Sequence, residues 1–597
     1  MSVFRRRLMG AYRKGSGIDM PNYMTIEALE DGLTATLTRN ACEYSIDGGE
    51  WVTLAAGTST PAINAGHIIS FKANPASISS TYGIGTFTIT KRCNLKGNCM
   101  SMLAYDDAAN ITYTQQNGFR TLFKNCTNII SVEKGFLPAT TLSSYCYYQM
   151  FYGCSNLINA PDLPALTAQN RCYYEMFYNC ISLSVAPALP ATTLNTGCYD
   201  GMFMKCSSLE VAPELPSKRT YTNCYEYMFS GCTNLKSTPS MSITSNMPTN
   251  CCKEMFSGCS NLTSINMTIS TFSFADSSCY GMFSKCTSLV DASSLFDIDS
   301  SAVLDDNCFA TMFSGCTALH SAPSLPSLNL AIDCYNNMFA GCSSLVNIPD
   351  LPATSLANRC YYRMFYNCTQ ISYAYLPALE LVEDCYGQMF YGCKKLNKLK
   401  AMFLTTPSTT YTNQWVYGVD KSGRFTKNKD ATWDVNGENG IPNGWTVVTV
   451  DVAGNGHVNI DLNKQWAKND SISPDISLYG AYESVSNVGV NYSEAIMLIY
   501  INGLSSFRLY LRSDAESIHD YVMVSQLNTI IDRLTPTTSS DVKAHTRGNQ
   551  NSGTSLSSYI EVVYDNIPSG DNYIMVVYCK DGNGNHGTDK AYVLIPK

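Results

Sequence analysis

CYYQMFYGCSNLINAPDLPAL (residues 146–166) and CYYRMFYNCTQISYAYLPAL (residues 360–379) are nearly the same sentence, written more than two hundred residues apart. Aligning the chain on their shared Met-Phe dipeptide finds Met150, Met176, Met202, Met228, Met255, Met282, Met312, Met338, Met364 and Met389, with a degenerate copy at Leu122. The steps between them run from 25 to 30 residues and cluster at 26. Self-similarity at such a period is the mark of a solenoid, in which each unit buries its apolar face only against its neighbours. About eleven repeats of ~26 residues are therefore expected over 119–410.

Within a unit, Cys146, Tyr147, Met150, Phe151 and Cys154 fall at offsets 0, 1, 4, 5 and 8. That spacing reads as one stripe of a short helix, buried on its Cys/Met/Phe side. The repeat core is then Cys146, Met150, Phe151, Cys154 and, one unit on, Cys172, Met176, Phe177 and Cys180. The other half of each unit carries Pro161 and Pro164, or Pro187 and Pro190, which limits it to a short extended segment and a turn. Helix and short strand in alternation predict an α/β leucine-rich-repeat solenoid.

The cysteines need an account, because there are 26 of them. Eight residues of helix rise ~12 Å, beyond the ~7 Å that a disulfide spans, so Cys146 and Cys154 are expected to stay unbridged as small apolar fillers. Their spacing also lacks the C-x2-4-C pairs of zinc sites, so no metal or other cofactor is expected. Cys251 and Cys252 are adjacent, the second standing where other units have Tyr.

Flanking modules read as β-sandwich-like domains. Residues 21–95 hold strand runs broken by a turn at Asp47, Gly48 and Gly49, and 96–118 are expected to cap the stack. Residues 411–449 concentrate Trp415, Trp433 and Trp445 and read as a second cap, with a glycan-stacking site as the alternative. Residues 450–597 form a C-terminal β domain with strands at AIMLIYI, SFRLYLR, SYIEVVY, YIMVVYC and AYVLIP. There Asp581, Asn583 and Asn585 alternate as in a calcium loop. His586 and Tyr592 stand where such a loop needs Gly and Glu, so a hairpin is expected.

The net charge of −8 excludes nucleic acid as the main partner. No run of eighteen apolar residues is present, so no membrane insertion is expected. Arg5, Arg6, Arg7, Arg13 and Lys14 make residues 1–20 a basic segment, but only five residues separate Arg7 from Arg13 and no secretion signal is expected. The six histidines are scattered over different modules and assemble no triad, metal pair or phosphate loop.

The units CYYQMFYGCSNLINAPDLPAL and CYNNMFAGCSSLVNIPDLPATSL resemble the BspA-type leucine-rich repeats of surface proteins of gut anaerobes and of fibre-like proteins of their phages. The resemblance covers about half the chain and implies adhesion and recognition without catalytic residues. It implies a phage virion protein, a head or tail fibre or appendage, whose basic segment docks on virion proteins (portal, tail or capsid) and whose repeats meet a host-surface glycan or protein. Localisation would be the virion, after synthesis in the host cytoplasm, and a homo-oligomer is compatible with that role. A bacterial cell-surface adhesin is the alternative, and a capsule depolymerase the second. The tyrosines outside the core stripe, Tyr148, Tyr152, Tyr174, Tyr178, Tyr362, Tyr366 and Tyr391, are expected to be exposed contact residues, with coil-on-coil packing the competing reading.

Overall fold

The computed structural model describes residues 22–73 and 83–450 and, beyond 450, the strands alone. It divides into two compact units: Met1–Pro323 with Asn329–Ser344 and Ala357–Cys368, and Ser324–Leu328 with Leu345–Leu356 and Thr369–Lys597.

The first unit opens with seven strands: β1 (Met24–Ala28), β2 (Ala35–Leu37), β3 (Cys42–Ile46), β4 (Val52–Leu54), β5 (Ile68–Ala73), β6 (Phe87–Ile89) and β7 (Cys93–Lys96). Asp47 (φ 49°) and Gly48 (φ 74°) supply the two positive φ angles that turn β3 back on β4. β2 pairs with β6 in a small sheet, and a larger one runs β4-β3-β5-β1-β7-β8, where β8 (Ile129–Val132) belongs to the first repeat and lies parallel to β7. Residues 96–118 contribute a single helical turn, α1 (Ser101–Ala104), and a 3-10 turn at Tyr105–Asn110. Phe87 donates its N–H to Leu122 O at 2.7 Å, and its ring stacks on Phe123 at 5.7 Å, standing in for the aromatic of a preceding coil.

The C-Y-x-x-M-F-x-x-C half of the repeat is not a helix, which corrects the α/β expectation. Its N–H groups follow two alternating rules. Those of Cys146, Tyr148, Met150, Tyr152 and Cys154 close turns on the carbonyls three residues back, at 3.1–3.4 Å. Those of Tyr145, Tyr147, Gln149, Phe151 and Gly153 reach across to Asn170, Cys172, Tyr174, Met176 and Tyr178 of the next coil, at 2.7–3.0 Å. The carbonyls divide in the complementary way, since Cys146, Tyr148, Met150 and Tyr152 accept from Phe119, Thr121, Phe123 and Asn125 of the coil before. Every buried backbone group of this ribbon thus finds a partner without an i→i−4 bond.

Every fourth residue turns left-handed: Tyr145 (φ 60°), Gln149 (φ 52°) and Gly153 (φ 73°), then Arg171, Glu175 and Asn179. A left-handed residue costs about 1–2 kcal/mol outside Gly, Asn and Asp, and the cross-coil hydrogen bonds offset it. The stripe at 0, 1, 4, 5 and 8 has a period of four, and here it is the period of stacked turns.

All eight predicted core residues are fully buried. Phe87, Phe123, Phe151, Phe177, Phe203, Phe229, Phe256, Phe283, Phe313, Phe339 and Phe365 form one column, with centroids 5.4–5.7 Å apart and ring planes within 17°. A second column stacks Phe119, Tyr147, Tyr173, Tyr199 and Tyr225. Cys252 and Cys279 interrupt it, and in those two coils the place taken by Leu142 or Leu194 elsewhere holds the larger Met247 and Phe274. The Phe274 ring lies 4.7 Å from Phe309, and Met247 Sδ 3.8 Å from Cys279 Sγ, so volume lost on one side of the coil is restored from the other.

The cysteines described are all buried and unbridged. Those ending each motif donate an S–H to the Phe carbonyl of the preceding coil: Cys154 to Phe123, Cys180 to Phe151 and Cys206 to Phe177, at 3.1–3.2 Å. A valine of similar size would lack that donor. Burial pushes the Cys206 thiol up to about 12, so it stays protonated and unreactive.

In the second unit, β13 (Tyr373–Leu376), β14 (Lys398–Ala401), β15 (Arg424–Asn428) and β16 (Thr446–Val450) form a parallel sheet; β9 to β12 are the short strands Met241–Ile243, Met267–Ile269, Ser273–Phe274 and Val303–Leu304 of the first unit. Trp415, Trp433 and Trp445 are buried, and their indole N–H groups donate to Gly440 O, Phe403 O and Asp420 O. They serve packing, and the glycan-stacking alternative is overturned because none presents an open ring face. Strands beyond 450 include Ser493–Asn502, Ser506–Arg512, Tyr559–Asp565, Asp571–Lys580 and Lys590–Pro596, on the five apolar runs. The loop of Asp581, Asn583 and Asn585 and the basic residues Arg5, Arg6, Arg7, Arg13 and Lys14 lie outside the described residues. Among the described residues no helix is long and apolar enough to cross a membrane.

Candidate functional site: the variable face of the turn ribbon

The ribbon buries its Cys, Tyr, Met and Phe positions, and the residues two before, one before and two after each Met are half-buried in coils such as those of Met150, Met176 and Met364 but buried at Asp200, Glu226 and Asn336. Inside, the letters barely change from coil to coil. Outside they change freely, so the differences between coils are displayed on a frame whose backbone is fixed by cross-coil hydrogen bonds.

The seven tyrosines proposed as contacts sit on this face, but each is half-buried rather than exposed. The reason is stacking between coils. Tyr148 lies 4.6 Å from Tyr174 with planes 3° apart, Tyr152 4.4 Å from Tyr178, and Tyr391 4.7 Å from Tyr417 in the second unit. Coil-on-coil packing thus accounts for the partial burial of Tyr148, Tyr152, Tyr174, Tyr178 and Tyr391.

Sequence reasoning missed the cations. The Arg120 guanidinium sits 4.5 Å over Tyr148, and the Lys124 ammonium 4.5 Å over Tyr152. Lys205 lies over Tyr178 at 5.2 Å and donates to its hydroxyl at 2.7 Å. Arg359 and Arg363 flank Tyr362 at 4.7 and 5.2 Å, and Arg363 also lies 5.4 Å from Tyr366. Such pairs are worth about 0.5–1 kcal/mol at exposed sites and fix long side chains in place. The signal was present in the alignment of copies, since Arg120, Lys124 and Lys205 occupy outward ribbon positions.

Between these aromatic stretches the face turns acidic. Asp200 and Glu226 occupy the same place in successive coils and are 8% and 6% exposed. Glu226 is held by Lys253 at 3.5 Å and by the Asn223 amide. Burial first, then repulsion from Glu226 and Glu175, pushes Asp200 up to about 8, against the pull of Arg171 and Lys253. Asp200 is thus largely protonated at neutral pH. Among the described residues no group of three or more His, Cys, Asp or Glu could hold a metal ion.

The repeats stack as turns of about 26 residues lined by Cys, Met and Phe. The pattern of the BspA type Leucine rich repeat region matches residues 170–313 and 310–414, with six copies, so this part of the chain is similar to BspA-type repeats. No curated protein and no solved structure matches the chain.

Proposed function

We propose that the protein is a non-enzymatic recognition protein that adheres to a bacterial surface and is carried there on a phage virion, as a head or tail fibre or appendage. The observation that carries recognition is the ribbon face, where outward residues vary on an invariant interior and gather tyrosines with Arg and Lys. Tyrosine gives contact area at little cost in entropy, and the cations add orientation. The ligand is a host-surface glycan or protein.

The thiols support the virion setting. Columns of reduced cysteines, one above the next in successive coils, suit a chain that folds in a reducing cytoplasm and leaves by lysis. An adhesin exported unfolded would expose the same thiols to oxidation before the coils close over them. Mass spectrometry of purified virions and of bacterial envelopes separates the two: the chain is expected in the virions, and its presence in envelopes alone would contradict the virion reading.

A depolymerase has one observation in its favour, the Asp200 and Glu226 carboxylates in successive coils, one of them largely protonated at neutral pH as a general acid must be. Their burial keeps a substrate away, and Glu226 is already engaged by Lys253 and Asn223. Incubation with capsular polysaccharide is expected to release no reducing ends.

A further inference from the structure

The geometry points to a second binding site, a cleft in the first unit that takes a polysaccharide segment with one carboxylate-bearing sugar followed by neutral sugars. This rests on the recognition reading above and names a ligand class for it. The cleft holds about 420 Å³ and is lined by Arg92, Ile130, Asn156, Ile158, Ser182 and Ser208.

Its construction follows the register of the coils. Asn156, Ser182 and Ser208 each lie six residues after the motif Met of three successive coils. They therefore recur at the parallel-strand spacing of ~4.8 Å. Ile130 and Ile158 are equivalent to each other in the same way, two places further along. Arg92 immediately precedes β7, whose Cys93 pairs with Ile129 of β8, and so it occupies the rung before the first coil. One rung offers one polar group, and a sugar in an extended polysaccharide advances by about one rung. A peptide advances by ~3.3 Å per residue and loses register within two or three rungs.

The two ends differ in charge. Arg92 is exposed, and its guanidinium makes no ion pair among the described residues; the nearby Glu30 carboxylate accepts from the Arg92 backbone N–H instead, at 3.4 Å. A planar guanidinium with open donors is matched to a carboxylate, which it binds through two parallel hydrogen bonds. In the middle, Ile158 is 45% exposed and presents an apolar patch to the C–H face of a sugar ring. The half-buried Ser182 and Ser208 hydroxyls have no hydrogen-bond partner among the described residues and are open to sugar hydroxyls. Outside the cleft lining, the exposed Glu210 holds the register position of Ile158 two coils further on, where its charge disfavours a second acidic sugar. The order of acid then neutral is thus written along the cleft.

The test uses the full chain and a tetrasaccharide of one glucuronic acid and three xyloses, with four-xylose chains and an Asp-Ser-Ser-Ser peptide as comparisons, by calorimetry at low salt. The acidic tetrasaccharide is expected to bind at least ten-fold more tightly than either comparison. Arg92→Gln should remove that advantage, and Ser182→Tyr, which fills the cleft, should abolish binding of both sugars. Equal binding of the neutral chain, equal binding of the peptide, or an unchanged Arg92→Gln variant would each overturn the inference. Staining of intact bacteria by labelled wild-type chain, run in parallel, distinguishes the failures. If cells stain but Arg92 has no effect on the tetrasaccharide, the cleft falls and recognition stands. If no cells stain, the recognition reading itself falls.

Discussion

Replacing Phe229 by Ala is expected to lower the stability of the first unit by about 4 kcal/mol, the range for a large aromatic removed from a close-packed core. The ring is fully buried and stacks on Phe203 at 5.6 Å and on Phe256 at 5.5 Å. Each lost stack adds about 0.5–1.5 kcal/mol to the transfer cost. A coil has no core of its own, so the gap cannot be closed by collapse within the coil, and both neighbours lose their partner. Against a typical total of about 5–15 kcal/mol, that is a large part of what holds the unit. Tyr227→Ser, two residues away on the outward face, should cost under about 1 kcal/mol. Urea unfolding followed by circular dichroism reads both, and a loss below about 1 kcal/mol for Phe229→Ala would mean that the column does not carry the stack.

Asp200→Asn should change the pH dependence of stability more than any other single carboxyl replacement on the ribbon. The folded carboxyl titrates near 8, whereas the ordinary value is 3.8, so the folded state binds its proton more tightly than the unfolded state does. The sign follows from linkage: this group's contribution is fully present below about pH 4 and is lost as pH rises through about 8, at up to about 1.4 kcal/mol per pH unit. The charges facing it are Glu226 and Glu175, which repel its ionised form, and Arg171 and Lys253, which favour it. An amide is uncharged at every pH and of nearly the same shape. The variant is therefore expected to match the wild type only below about pH 4, to lead it already by about 1–2 kcal/mol at pH 5 and to exceed it by several kcal/mol at pH 9, the size of a shift of a few pH units. Thermal melts of the two proteins from pH 5 to pH 9 check this, and parallel curves would show that Asp200 is ionised throughout.

The repeat, its period and its lining were legible in the sequence because burial selects residue types: Cys146, Met150, Phe151 and Cys154 recur wherever the chain turns inward. The helix was misread for a definite reason. Offsets of 0, 1, 4, 5 and 8 fit a helix of 3.6 residues per turn over two turns, and fit a succession of four-residue turns just as well. Gly153, Asn179, Gly231, Gly258 and Gly315, which precede the closing Cys of their coils, were the discriminating signal, since Gly and Asn in the middle of a buried helix are poor and in a left-handed turn are favoured. The same error displaced the tyrosines. Tyr148 and Tyr174 stand side by side because a turn ribbon repeats in register from coil to coil, and separate helices would have held them apart. The cations over Tyr148, Tyr152 and Tyr178 were legible only once that register was known, because Arg120, Lys124 and Lys205 sit 27 or 28 residues from the rings they cover.

The most direct measurement is the binding of fluorescently labelled full-length protein to a panel of anaerobic gut bacteria, followed by flow cytometry, beside a Tyr152→Ser/Tyr178→Ser variant shown to melt within a few degrees of the wild type. Recognition by the ribbon face predicts saturable staining of at least one bacterium, no release of reducing ends, and a loss of at least ten-fold in the variant. Staining of no bacterium, or equal staining by the variant, would contradict it.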